Sequence, residues 1–447
     1  MKWIYFLFCS LFITSGWAQP EKGDLLIANA TVITITNGTL TNTDVLIKNG
    51  KISRIGRAIK VSDNIKTIDA TGKFIMPGII DAHSHIALDG INESTNIITS
   101  EVFVGDVINP YDISIYRALA GGVTTSHVMH GSANPIGGEC ETIKHRYGLH
   151  NPNDLKMKDA PRTIKFALGE NPIRIHGLGR GVVPRTRMGI EQVIRSAFNS
   201  AQQYLQAKTD YEKNRLSNNK LIPPLYNQRL ETLADILKGD IIVHCHAYRA
   251  DEMIMLMEVF KDFGVEKICF QHANEAFKII PELKQFGAYA SVFSDWWAFK
   301  FETYYSTAYN AAMLTKNGVP TSINSDSWEV VRHLYHEAAK AQRYGGLKDD
   351  EALSLITINA AKQLGIDQRV GSIEVGKDAD FAMFSAHPLS IYAIPQLTII
   401  DGIIYFNRSE DALDMRMGIN PENAVPTFAA ENKENHDHCL EGAEHKK

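Results

Sequence analysis

From about residue 75 to 365 the chain repeatedly sets a short, mainly apolar, strand-like run ahead of a helical stretch. That alternation limits the fold more than any other feature. Runs at 75–80, 122–128, 163–168, 240–246, 267–272, 288–293 and 319–324 lack the in–out pattern of a half-exposed strand, while 253–263 and 328–344 carry helical patterns. Strands buried on both faces and separated by helices build a parallel sheet. About eight such units over about 280 residues suit an α/β fold closed as a (β/α)8 TIM barrel. The rival, an open doubly wound sheet, wants a glycine-rich phosphate loop after its first strand, and the sequence has none there.

The flanks read differently. Residues 20–76 are short strand-like segments broken by the turn dipeptides Asn37-Gly38 and Asn49-Gly50. Strand-like runs return at 381–384 and 397–406. A small discontinuous β-sandwich, built from both chain ends (20–76 and 366–410), is therefore expected beside a barrel at 77–365. The stretch 171–224, with several arginines and a helical pattern from 189 onward, is expected to be an insertion above the barrel mouth after the fourth strand.

Lys2 is followed by an apolar run over 3–13, then by Gly16 and Ala18, the layout of a secretory signal cut before Gln19. The run is shorter than the roughly 20 residues a membrane span needs. The expectation is a signal peptide at 1–18, a periplasmic or secreted product and no stable membrane anchor. Cys140, Cys245, Cys269 and Cys439 are scattered without CxxC spacing, so export implies no disulfide scaffold; Cys245 and Cys269, inside apolar runs, are expected as buried thiols. Residues 411–447 form a polar tail, whose His436, His438, Cys439 and His445 are read as a solvated end. A net charge of −5 without a basic stripe argues against a nucleic-acid partner. A small-molecule substrate is expected; oligomeric state is open, a homo-oligomer included.

The chemistry lies at the ends of the strand-like runs. Asp81-Ala82-His83-Ser84-His85 follows the first, and residues two apart on a strand point the same way, so His83 and His85 can share one metal. A second His-x-His, His244 and His246, ends the run at 240–246; His272 ends the next, and Asp326 follows the run at 319–324. One histidine at a strand end is usually a packed residue. Histidines and an aspartate at four strand ends, on the barrel face where active sites lie, point to a metal centre.

Residues 77–85 (PGIIDAHSH) resemble the opening signature of the amidohydrolase superfamily, and Gly376-Lys377-Asp378-Ala379-Asp380 resembles the segment by which its members return to the small sheet domain. The resemblance covers nearly all of 24–405 and is closest to the imidazolonepropionase and prolidase-like branch. It implies a barrel hydrolase with one or two divalent ions, zinc favoured, although the same donors accept iron, manganese or nickel. Carried over, His83, His85 and Asp326 would bind the first metal, and His246 and His272 the second. His246 is preferred to His244 because it precedes the small Ala247. Lys165 stands where binuclear members carry a carbamylated bridging lysine, and apolar neighbours favour the neutral amine that takes up CO₂. Lys144 is the weaker alternative.

The resemblance implies attack by a metal-bound hydroxide on a C–N bond, with Asp326 as general acid/base. If one metal binds, Lys165 loses its bridging role and His272 becomes an electrophile. Arg249 (as a carboxylate clamp), Tyr248, Asn134, Trp296 and Lys300 are the candidate substrate-binding residues, with Arg180, Arg185 and Arg187 in the insertion; together they favour a small anionic substrate. The reading is hydrolysis of an amide or cyclic amide, as in a dipeptide or an imidazolone-like ring. Its alternatives are a mononuclear deaminase of a heterocycle and a non-catalytic metal-containing binding protein. Asp326 argues against the last, since a structural metal site needs no proton shuttle.

Overall fold

A computed structural model describes residues 22–217, 221–297 and 300–411. The expected signal segment and the histidine-bearing tail lie outside the described residues. Among those described, no helix is long and apolar enough to cross a membrane.

Both chain ends meet in one eight-stranded sheet. Leu25–Ile33, Thr39–Lys48 and Lys51–Gly56 form a meander, and Phe74–Pro77 runs parallel to the first of these. Phe381–Phe384 then pairs antiparallel with Phe74–Pro77, followed outward by Pro395–Ile400 and Ile403–Asn407. The Asn49-Gly50 turn works as its residue types require: both have positive φ, 49° and 70°, the geometry of a tight two-residue hairpin. Leu25, Ile27, Val45, Ile47, Ile75, Phe381 and Ile399 share one buried core, so strands more than 300 positions apart in the chain, such as Leu25–Ile33 and Pro395–Ile400, are held by the same apolar contact. The expected sandwich is realised as this single sheet.

The second eight-stranded sheet is the barrel, with strands numbered here in chain order. They are Ile79–Ser84 (β1), Val123–Val128 (β2), Ile136–Lys144 (β3), Arg162–Ala167 (β4), Ile241–Ala247 (β5), Ile268–His272 (β6), Tyr289–Val292 (β7) and Thr321–Ile323 (β8). Each pairs with the next in sequence. Between β8 and β1 the Asp326 amide donates to the His83 carbonyl at 3.1 Å. Asp81 strengthens that seam, accepting from the Ser325 amide at 3.1 Å and the Ser325 hydroxyl at 2.5 Å.

One strand departs from the all-parallel expectation. β3 runs antiparallel to both β2 and β4. Only residues 129–135 join it to β2, and a parallel crossover needs a dozen residues or more. The reversal sends the end of β3, including Lys144, to the opposite end of the barrel from the histidines.

The insertion after β4 contains the helix Arg187–Asn214, capped by Thr186, whose hydroxyl accepts from the Gly189 amide. Its buried residues, Ile190, Val193, Ile194, Ala197, Phe198, Ala201 and Tyr204, recur every three or four positions and so form one stripe. That stripe packs against the helices Gln228–Lys238 and Ala250–Phe263. Cys140, Cys245 and Cys269 are buried free thiols.

Candidate metal centre and active site

At the C-terminal ends of β1, β5, β6 and β8 the sequence places histidines or an aspartate, and the fold brings them together. His83 and His85 turn their Nε2 atoms to within 3.3 Å of each other. Oδ1 of Asp326 lies 3.4 Å from the first and 3.2 Å from the second, and its Oδ2 lies 3.8 Å from His272 Nε2. His83, His272 and Asp326 offer ligand atoms all within 4.8 Å of one another. The His246 ring stands at 78° to that of His272, with centroids 4.6 Å apart. Lys165 reaches in from β4, its Nζ 3.0 Å from His83 Nε2. All these side chains are buried.

Two site residues hold left-handed backbone that is uncommon outside glycine: φ is 69° at His272 and 43° at Asp326, and Ala273 has 43° as well. Non-glycine residues accept this conformation at a cost of about 1–3 kcal/mol each, offset elsewhere in the fold. Here it turns the strand ends so that both side chains face the barrel axis.

The electrostatics favour neutral imidazoles. Burial holds the pKa of His83 and His246 well below the ordinary value, reinforced for His83 by the Lys165 charge. Burial likewise lowers His272 to about 3, despite the opposing effect of Asp326. For Asp326, burial pushes upward, but the His85 hydrogen bond and the neighbouring positive charges outweigh it and the pKa is lowered. The chamber therefore gathers imidazole lone pairs around one carboxylate at neutral pH.

The residues fit a divalent cation. Among the described residues, neither ring nitrogen of His272, nor Nδ1 of His246, finds a hydrogen-bond partner, although both rings are fully buried. Buried polar atoms left this way are uncommon in a finished core. Imidazole and carboxylate donors converging at these distances account for them. The remaining nitrogens are oriented as ligand histidines usually are. His85 Nδ1 meets the Met129 carbonyl at 2.9 Å, and His83 Nδ1 meets Gln271 Oε1 at 3.1 Å.

Gln271 was not among the sequence candidates. Its Nε2 lies 2.9 Å from His244 Nδ1, so one amide serves both histidine pairs. A glutamine directly before His272 in an apolar strand is the signal that marks it. His244 sits one pleat deeper than His246, its ring 4.4 Å from that of His127, away from the His83–Asp326 group. Phe293 was also missed: it stacks on one face of His272 at 4.7 Å, while Tyr248 covers the other at 5.2 Å.

The substrate-binding candidates divide. Tyr248 lines the chamber, and Trp296 stacks on Phe293 at 4.3 Å, extending the aromatic wall outward. Lys300 places its Nζ 4.3 Å from the Tyr248 ring centroid. Arg249 does not reach the site; its guanidinium forms a two-pronged pair with Asp251 at the exposed start of a helix. Asn134 is buried. Its Nδ2 is taken up by the carbonyls of Glu93 and Asn96 and the Thr99 hydroxyl, which pins a loop. Arg180 bonds Ser94, and Arg187 pairs with Glu252 and Glu302. Lys144, the alternative to Lys165, is bound by Asp378, Asp380 and Asp401 at the far end of the barrel.

The amidohydrolase family profile matches residues 74–405. The chain belongs to the amidohydrolase family. It is 31% identical over 395 residues to the amidohydrolase tasK of Hapsidospora irregularis, a match taking in 81% of this chain and spanning 40% of that relative's length. An imidazolonepropionase of Thermoplasma volcanium is 24% identical over 356 residues, covering 76% of this chain and 83% of the relative. Among solved structures, an amidohydrolase from Thermotoga maritima superposes with a TM-score of 0.79 at 34% identity, covering 86% of this chain and all of the other. The opening segment with His83 and His85, and the return segment with Asp378 and Asp380, both fall inside the matched region of this amidohydrolase.

Proposed function

We propose that this amidohydrolase is an exported, metal-dependent enzyme that cleaves an amide or cyclic amide bond in a small molecule, such as a dipeptide or an imidazolone-like ring. The observation that carries the reading is Lys165 Nζ at 3.0 Å from His83 Nε2, inside a chamber of imidazoles and one carboxylate. An ammonium there opposes a bound cation, whereas a carbamate formed on the same nitrogen supplies an anion with two oxygens. On this reading His83, His85 and Asp326 would hold one divalent ion, His246 and His272 would hold a second, and Lys165, once carbamylated, would supply carboxylate oxygens to the centre. Zinc is favoured, since neutral imidazole and carboxylate are its ordinary donors. The chemistry supplied when the ions are bound is Lewis-acid activation of water and of the substrate carbonyl.

The chain's own residues do the rest. Asp326, kept as a carboxylate, takes a proton from the attacking water and returns it to the nitrogen as the C–N bond breaks. His272 is clamped between Tyr248 and Phe293 and stays neutral at physiological pH. The aromatic wall limits bulk water, which strengthens every charge interaction inside.

A mononuclear deaminase is the second reading, because among the described residues His83, His272 and Asp326 each offer one ligand atom within 4.8 Å of the others, close enough for a single ion. Zinc-loaded protein offered dipeptides, cyclic amides and amino-heterocycles separates the two. A new carboxyl group from an amide supports the first, and ammonia release from a heterocycle supports the second. Turnover of neither class would remove both. Export predicts a mature N-terminus at Gln19, read by N-terminal sequencing of protein expressed in a secreting host.

A further inference from the structure

We infer that the rim above the histidines is an anion subsite, in which Lys300, placed by Asn171, selects substrates with a carboxylate close to the scissile C–N bond. The inference rests on the hydrolase reading for the identity of that bond, and on the rim alone for the anion.

Lys300 borders the chamber through a shared neighbour. The ring under its ammonium, Tyr248, stands 4.7 Å from the His246 ring and stacks on His272. The position of Lys300 is defined. Asn171 Oδ1 accepts from Lys300 at 3.2 Å, while Asn171 Nδ2 donates to the Ser132 hydroxyl at 2.7 Å and lies 3.5 Å from His246 Nε2. This one amide joins the loops after β2, β4 and β7 directly over His246.

The loop carrying Asn171 is itself fixed from below. The Gly169 amide donates to Glu252 at 2.9 Å and the Glu170 amide to Glu302 at 3.0 Å, with Arg187 paired to both glutamates. Gly169 has φ of 80°, and a Cβ there would meet the Glu302 carboxylate at 2.8 Å, so the loop tolerates no side chain at that point. Asn171 and Lys300 are therefore preorganised.

Glu170 approaches Lys300 to 3.5 Å from the rim and is partly exposed, and Glu302 lies beneath, engaged by Arg187 and the Glu170 amide. On the chamber side stand neutral histidines and the Tyr248 ring. A largely buried ammonium in that setting favours an incoming carboxylate over a neutral amide, because a charge-assisted hydrogen bond is about twice as strong as a neutral one. The opposing wall, Phe293 and Trp296, offers stacked aromatic surface for the apolar part of the same substrate. Arg249, the other candidate clamp, is committed to Asp251 outside the chamber.

The test is calorimetric binding of acetylglycine and its carboxamide to the zinc-loaded full chain, repeated on K300M, K300R, N171A and D326N. The carboxylate is expected to bind about tenfold or more tightly than the carboxamide, with the preference kept in K300R, reduced in N171A and abolished in K300M. Unaltered zinc content in K300M controls for folding. Equal affinity for the pair, no binding of either, or a preference that survives K300M overturns the inference. A preference that persists in D326N while no amide is cleaved by wild type would leave the subsite standing and remove the hydrolase reading instead.

Discussion

Lys165 and Lys144 are both fully buried, stand on the neighbouring strands β4 and β3, and differ in everything that surrounds them. Lys144 is met by Asp378 at 2.8 Å, Asp380 at 3.0 Å and Asp401 at 2.7 Å. Burial alone would favour its neutral amine, but the three carboxylates prevail and its pKa is raised. It is a permanent cation that ties the barrel to the small sheet. Lys165 has a histidine beside it where Lys144 has carboxylates, and its charge acts on Asp326. Burying a lysine is costly in either place. At the far end three carboxylates meet that cost, whereas at the mouth the amine lies against an imidazole. The reversal of β3 separates the two: had it run parallel, both lysines would point to the same end.

If this contrast is right, the largest effects come from the mouth and act on turnover rather than on folding. Asp326→Asn is expected to lower kcat by about 10²–10⁴-fold, the usual worth of a general acid/base, with little change in the thermal midpoint. A variant retaining full turnover would contradict the assigned role. Lys144→Met should do the reverse. Leaving the carboxylates uncompensated costs about 3–5 kcal/mol in denaturant unfolding, while the folded fraction keeps its metal content.

The far end also sets a pH dependence. His145, beside Lys144, is fully buried between the Val123 carbonyl and the Ser126 hydroxyl, and burial lowers its pKa from 6.5 to about 4. The unfolded chain then binds a proton that the native state refuses. The contribution is fully present above pH 6.5 and is lost as pH falls toward 4, amounting to at most about 3 kcal/mol. His145→Gln should flatten the stability profile across that window. Asp378 and Asp401 act lower: Lys144 holds both below the ordinary value of 3.8 against the effect of burial, so their contribution persists above 3.8 and fades in stronger acid.

Smaller effects probe the supporting residues. Gln271→Ala, which frees the His83 and His244 rings, should weaken metal binding about 10–100-fold in a chelator competition. Arg249→Ala should change kcat/KM by no more than about twofold, because that guanidinium is spent on an exposed pair. A large loss of substrate affinity would return Arg249 to the site.

Much of this arrangement was legible in the sequence. The two His-x-His pairs announce themselves by a two-residue period at strand ends, and His272 and Asp326 by ending apolar runs. What the period could not reveal is direction. β3 carries Gly137, Gly138, Glu139 and Glu141 among its apolar residues, so it lacks the solid apolar run of its neighbours. The seven-residue link before it was the available clue. Arg249 misled because residue type does not report commitment: Asp251, two positions on, competes for the same guanidinium at no cost in chain entropy. Asn134 shows a related effect, since a loop more than thirty residues earlier claims its amide. Left-handed backbone at His272 and Asp326 has no sequence signature at all, because neither position is a glycine.

The most direct test of the contrast is metal content per chain and intact mass under non-denaturing conditions, on protein prepared with zinc and bicarbonate, for wild type and Lys165→Ala. The account predicts two ions and one added CO₂ in wild type, with both the adduct and the second ion lost in the variant. One ion and no adduct in wild type would contradict it, leaving Lys165 as buried a cation as Lys144.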